Sequence, residues 1–104
     1  MRLTLPTATV LEALVHGHGY GFEVVEVTGI RAGTVYPVLR RLEEHGYVRS
    51  SWEDPERARR EGRPSRRNYE LTSEGRRLAV EAAERYPGVG RMFGPRSLER
   101  PADA

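Results

Sequence analysis

The sequence predicts a mainly α-helical fold with one small β-hairpin, an α+β arrangement in which three helices precede the hairpin and one follows it. Three observations predict it. Between Ile30 and Val48, Val35, Val38, Leu39 and Leu42 recur at i, i+3, i+4 and i+7, the spacing of one apolar stripe on a 3.6-residue helix. Directly after it, Tyr47 to Glu53 and Arg66 to Leu71 alternate with period two, as paired strands do. Thr72 then stands as an N-cap, with Glu74 in the first turn, ahead of another helical stripe.

The first helix opens at Leu5-Pro6-Thr7, with proline in its first turn, and runs through the stripe Val10, Leu11, Leu14 and Val15 to Gly17. His16 and His18 flank that glycine; without cysteine or a third histidine nearby they read as polar helix-end residues, and no metal is predicted. Tyr20 to Thr28 forms a shorter second helix ending at Gly29, with Phe22, Val24, Val25 and Val27 inward and Glu23 and Glu26 in water. Its valines favour a strand by propensity alone. The helix that follows decides for a helix, because a short helix, a glycine turn and a longer helix with a basic beginning form a helix-turn-helix.

The third helix is the element that organises the chain. Pro37 lacks a backbone N–H, so the sequence places the helix start between Ala32 and Thr34, and Gly46 closes the end in a left-handed conformation. Opposite the apolar stripe lie Gly33, Pro37, Arg40 and Glu44, flanked by Thr34, Tyr36 and Arg41. A small, aromatic and cationic face near a helix N-terminus suits a DNA major groove, where arginine reads guanine and phosphates meet N-terminal amides.

The hairpin after this helix is the wing of a winged helix-turn-helix, and its long tip spans Asp54 to Ser65. Between Arg57 and Arg67 stand six arginines and one glutamate, whereas Arg2 is the sole basic residue before Arg31. The net charge of +2, from 17 basic and 15 acidic residues, says little by itself. The clustering says more, and every basic residue is arginine, which grips phosphate and guanine bidentately. The tip is expected to be a solvated, disordered loop in the absence of DNA and to order on binding. Trp52, the single tryptophan, is assigned to core or wing packing.

In the last helix, Leu78, Ala79, Ala82, Ala83 and Tyr86 form an apolar stripe without an obvious partner in the chain, and dimerisation through it is the preferred reading. An ordinary amphipathic helix covering its own domain is the alternative. Pro87 is expected to stop this helix, leaving a flexible Pro/Gly-rich tail on which Val89, Met92 and Phe93 are the residues able to dock. The expected organisation is 1–71 for DNA binding, 72–86 for dimerisation and 87–104 for the tail. With 104 residues the chain has room for one core, and the absence of cysteine removes disulfides and thiolate sites. No apolar run approaches the ~20 residues of a membrane span and no signal-peptide pattern opens the chain, so a cytoplasmic location is expected.

GTVYPVLRRLEEHGYV resembles the signature of the PadR-like transcriptional regulators, HGHGYGFEVVEVTGI resembles their second helix, and SWEDPERARREGRPSRRNYELTSEGRR their wing and the start of their last helix. The resemblance spans roughly Leu3 to Arg85. It implies a dimeric repressor on an inverted-repeat operator in double-stranded DNA, with a last helix that pairs with its symmetry mate. It also implies release by a small-molecule effector, phenolic acids and cationic drugs being ligands within the family; the effector's identity is not legible here. The shared motif supports Thr34, Tyr36 and Pro37 individually as DNA-binding residues. Gly33, Arg31, Arg40 and Arg41 join them by helix phase and charge, and Arg57, Arg59, Arg60, Arg63 and Arg66 by their place in the wing. A winged-helix module that binds protein instead of DNA is the runner-up. No nucleophile stands with a positioned base, so no enzymatic activity and no cofactor are expected.

Overall fold

The computed structural model describes residues 1–93. Its elements are α1 (Leu5–Val15), α2 (Gly21–Thr28), α3 (Ala32–Glu44), β1 (Val48–Trp52), α4 (Pro55–Arg60), β2 (Arg67–Leu71), α5 (Ser73–Arg85) and α6 (Pro87–Arg91). A winged helix-turn-helix results: α2 and α3 joined at Gly29, whose φ of 73° is the left-handed turn, followed by an antiparallel hairpin.

α1 is the hub. The Thr7 N–H donates to the Thr4 hydroxyl at its start, and all residues from Thr7 to Val15 are buried, because α2, α3, α5, α6 and β2 all pack on it. The sequence assigns α1 a single apolar stripe; instead, from Thr7 onward it is enclosed on every side, with Glu12 included in the burial. The Glu12 carboxylate lies 3.1 Å from His16 Nε2, and the His16 ring stacks on Phe93 at 5.2 Å.

α3 follows its sequence pattern closely. Val35, Val38, Leu39 and Leu42 are all buried, and each such side chain stabilises by about 1.5–3 kcal/mol relative to exposure. The helix starts at Ala32, with the Thr34 and Val35 N–H groups donating to the Arg31 carbonyl at 2.9 and 3.0 Å. Pro37 thus stands in the second turn, where its ring removes the bond to the Gly33 carbonyl. In α2, Val24 is fully buried whereas Phe22 and Val27 are exposed, so the inward face is narrower than its valines suggest.

The hairpin pairs Val48 with Leu71, Ser50 with Tyr69 and Trp52 with Arg67. Its base is tied to the helices on both sides: the Tyr69 N–H donates to the Gly19 carbonyl at 2.8 Å, and the Thr72 hydroxyl donates to that of Gly46 at 2.7 Å. At α5 the Gly75 N–H donates to the Thr72 hydroxyl at 3.1 Å, as the cap predicts, and Gly75 sits so close to the Tyr47 carbonyl that no Cβ fits.

Three expectations are corrected by packing. The stripe of α5 has a partner within the chain: Ala79 and Ala82, with 1% and 2% exposure, are buried as α5 packs on α1, while Leu78, Ala83 and Tyr86 are half-buried. The Tyr86 hydroxyl donates to the Leu3 carbonyl at 3.2 Å. Pro87 ends α5 and also begins α6, since proline fits a first helical turn as readily as it breaks an interior; α6 buries Val89. Residues 94–104 of the expected tail lie outside the described residues. The wing tip is likewise no loop, because it contains α4.

Candidate nucleic-acid interface

α3 presents to solvent the face opposite its stripe. Arg31, Gly33, Tyr36, Arg40 and Arg41 are exposed, and Thr34 and Pro37 half-buried, so none of the residues picked from the sequence on or beside α3 is enclosed in the core. Arg31, Arg40 and Arg41 form no ion pair among the described residues, which leaves three cations free for an external anion. Tyr36 is held from behind. Its ring lies against Gly21 at the start of α2, too close for any Cβ there, while the side chain remains 42% exposed.

The wing stands beside this face, fixed to it by an ionic chain. Ser50 donates to the Glu43 carboxylate on α3 at 2.6 Å, Arg67 Nε donates to the Ser50 hydroxyl at 2.9 Å, and an Arg67 terminal nitrogen lies 3.6 Å from Glu43. The Arg67 guanidinium also sits 5.6 Å from the Trp52 ring. Trp52 is 66% exposed, so it packs on the wing surface and not in a core. Burial raises the pKa of Tyr69, which lines the cleft between α2, α3 and the wing together with Tyr20, Phe22, Tyr36, Arg66 and Arg67.

The wing tip is built around Glu53. Asp54 caps α4 by accepting the Glu56 N–H at 3.1 Å, Pro55 occupies its first position and Ala58 is buried. Both Glu53 carboxylate oxygens accept from Arg63, the second at 2.7 Å, and the first also accepts the Arg66 N–H at 3.2 Å. The Arg66 guanidinium approaches the same carboxylate at 3.5 Å and lies 4.3 Å over the Tyr20 ring, tying the tip to α2. Arg63 and Arg66, assigned to DNA from the sequence, are therefore engaged internally. Arg57, Arg59 and Arg60 stay exposed on α4, the first two paired with Glu61 at 3.9 Å and Glu56 at 2.6 Å. Sequence reasoning missed α4, Arg67 and the Tyr20–Phe22 platform. Asp54-Pro55-Glu56, an N-cap with proline at N1, was the available signal for α4.

Hydrogen bonds from Arg63, with further help from the Arg66 backbone and both guanidinium charges, hold the Glu53 pKa at about 2 against an ordinary 4.5. Because the folded-state pKa is the lower one, the tip's order is fully supported above the ordinary value and is lost progressively as pH falls towards 2. Carboxyl carbon chemical shifts should show Glu53 titrating near 2, with α4 signals changing in step; a midpoint in the usual carboxylate range would mean the pairing is absent in solution.

Residues 10–81 match the model of the transcriptional regulator PadR-like family. The chain belongs to that family. No curated protein matches it. Among solved structures, a PadR family transcription regulator from Clostridium difficile shares 19% identity over 83% of this chain and 91% of that one, with a TM-score of 0.69. The PcaV transcriptional regulator of Streptomyces coelicolor, solved with its natural ligand, shares 28% identity over 86% of this chain and 60% of its own, with a TM-score of 0.66. BpsR of Bordetella bronchiseptica, whose DNA binding is regulated by 6-hydroxynicotinic acid, shares 27% identity over 88% of this chain and 62% of its own, with a TM-score of 0.64. The PadR-like chain thus spans about three fifths of PcaV and BpsR. Among the described residues no three potential metal ligands come together, and no helix is long and apolar enough to cross a membrane.

Proposed function

We propose that this PadR-like chain is a dimeric repressor that binds an inverted-repeat operator, with α3 in the major groove and α4 of the wing along the flanking backbone. The observation that carries the proposal is that Arg31, at the cap of α3, and Arg40 and Arg41 on its open side form no ion pair among the described residues, beside a wing fixed to that helix through Glu43. Two-fold symmetry then places two α3 helices on half-sites about 34–36 Å apart. Selection from a pool of random duplexes tests this: inverted half-sites at that spacing should be enriched. An unenriched pool would favour the reading as a protein-binding module.

For the dimer, Ala79 and Ala82 are already used within the chain. The surface left to a partner comprises exposed Leu5 on α1, Val80 on α5 and Met92 just beyond α6, with the uncovered parts of Ala83 and of Leu78 and Tyr86, which also pack on the core. Sedimentation at micromolar concentration should show a dimer for the native protein and a folded monomer for Val80→Glu, since a charge in an apolar contact is costly. A native monomer would end the dimer proposal. An effector finds a cavity of about 330 Å³ between the end of α1, β2 and α5, with Leu14, Val15 and Leu71 as apolar wall and Asn68, Glu70 and Arg76 as polar wall.

The wing should add affinity with little discrimination, because phosphate contacts position a protein without reading bases. Replacing Arg59 and Arg60 by alanine should weaken operator and random duplexes by similar factors. It should also flatten log K against log[salt] by up to about 0.9 for each phosphate that is no longer neutralised. An unchanged slope would place both side chains away from the backbone.

A further inference from the structure

We infer that Glu53 is the positioning residue of the wing: by clamping Arg63 and Arg66 it holds α4 as a preformed helix, so that Arg57, Arg59 and Arg60 meet DNA already ordered. The inference rests on the proposed DNA binding of α3 and the wing.

A glutamate is an unfavourable choice for a DNA-facing element, where its charge repels phosphate, unless it is screened and used. Glu53 is both. Its side chain is 3% exposed and sits where the strands part, after Trp52 and before Arg67. From there it closes the whole excursion: its N–H donates to the Arg66 carbonyl at 2.7 Å and its own carbonyl accepts the Ser65 hydroxyl at 3.0 Å. The carboxylate meanwhile takes both Arg63 donors. Arg63 passes the constraint to α4, since its N–H donates to the Ala58 carbonyl at 3.1 Å and its guanidinium to Glu61 at 2.8 Å. Arg66 passes it to α2 through Tyr20 and Phe22, at 4.3 and 5.1 Å. A six-residue helix has no stability of its own in water, so α4 depends on these external ties. Without them the backbone that carries the three arginines would have to be ordered at the moment of binding, at an entropic cost drawn from the affinity.

Glu53→Gln keeps the shape and removes the charge that grips both arginines. Amide hydrogen exchange on the free protein should show protection lost from Ala58 to Arg63 while the core around α1 and the melting temperature change little. Affinity for random and selected duplexes should fall at least about tenfold, because α4 must then be ordered on binding. The slope of log K against log[salt] should stay put, because the same arginines still reach phosphate. Arg63→Ala should reproduce all of this, and adding it to Glu53→Gln should change little more, as expected for two halves of one clamp. Stronger or unchanged DNA binding by Glu53→Gln overturns the inference, as does retained protection of α4. A flattened slope for Arg63→Ala overturns it too, by making Arg63 a phosphate contact. A native protein whose tip is protected but which binds no duplex defeats the DNA-binding reading, and with it the positioning role, while exchange still decides what orders α4.

Discussion

Replacing Ala82 by glutamate should unfold the protein and not merely divide a dimer. Ala82 is 2% exposed on the side of α5 that packs on α1, one turn from Ala79 at 1%. Alanines there allow close approach of the two helices, and a longer side chain must displace one of them. The carboxylate would also leave water without a prepared partner, and an unpaired buried charge costs about 3–5 kcal/mol. Small domains have only about 5–15 kcal/mol in total, so most of the stability should go. Circular dichroism should show a melting transition lowered by tens of degrees or absent. Val80→Glu, two residues away on the open side, should melt close to the native protein. Equal melting of Ala82→Glu and the native chain would mean that α5 does not pack on α1 in solution.

That pair of variants also shows what the sequence can specify. A stripe at i, i+3, i+4 and i+7 says that a face is buried; it carries no label for what buries it. For α3 this sufficed, since Val35, Val38, Leu39 and Leu42 are all buried in the core that the stripe implies. For α5 it did not, because the α1 surface that accepts Ala79 and Ala82 is itself unmarked: α1 is enclosed all round from Thr7 to Val15, and its threonines and Glu12 interrupt any pattern that would announce it. The wing posed a different difficulty. Six arginines read as a solvated run, and the one residue that orders them, Glu53, looks like any surface glutamate until β1 and β2 bring it beside Arg63 and Arg66. Local chemistry was legible where it was complete within one turn, as at Thr72 and Gly75, and hidden where the partners stand ten or more residues apart.

Removing Arg40 should separate reading from holding. Its guanidinium stands on the open face of α3, one turn beyond Tyr36, and forms no ion pair with the described residues. Truncating it should therefore leave the melting curve nearly unchanged. On a selected duplex the loss should be about 1–3 kcal/mol, roughly five- to 150-fold, if the side chain makes a bidentate contact with guanine. Random duplex should lose only the share of one phosphate-range cation, so the ratio of the two affinities falls. Tyr36→Phe isolates a second contribution, because the ring remains seated against Gly21 and only the hydroxyl is removed. It should keep the fold and weaken the selected site by about 0.5–1.5 kcal/mol, the net worth of one hydrogen bond. Competition titrations of selected against scrambled duplex at fixed salt, beside melting curves, measure both. If Arg40→Ala weakens the two duplexes equally, the arginine grips phosphate and the reading falls to Thr34, Tyr36 and Pro37. If neither variant loses affinity while both remain folded, α3 does not face DNA, and the open side of this helix belongs to a protein partner.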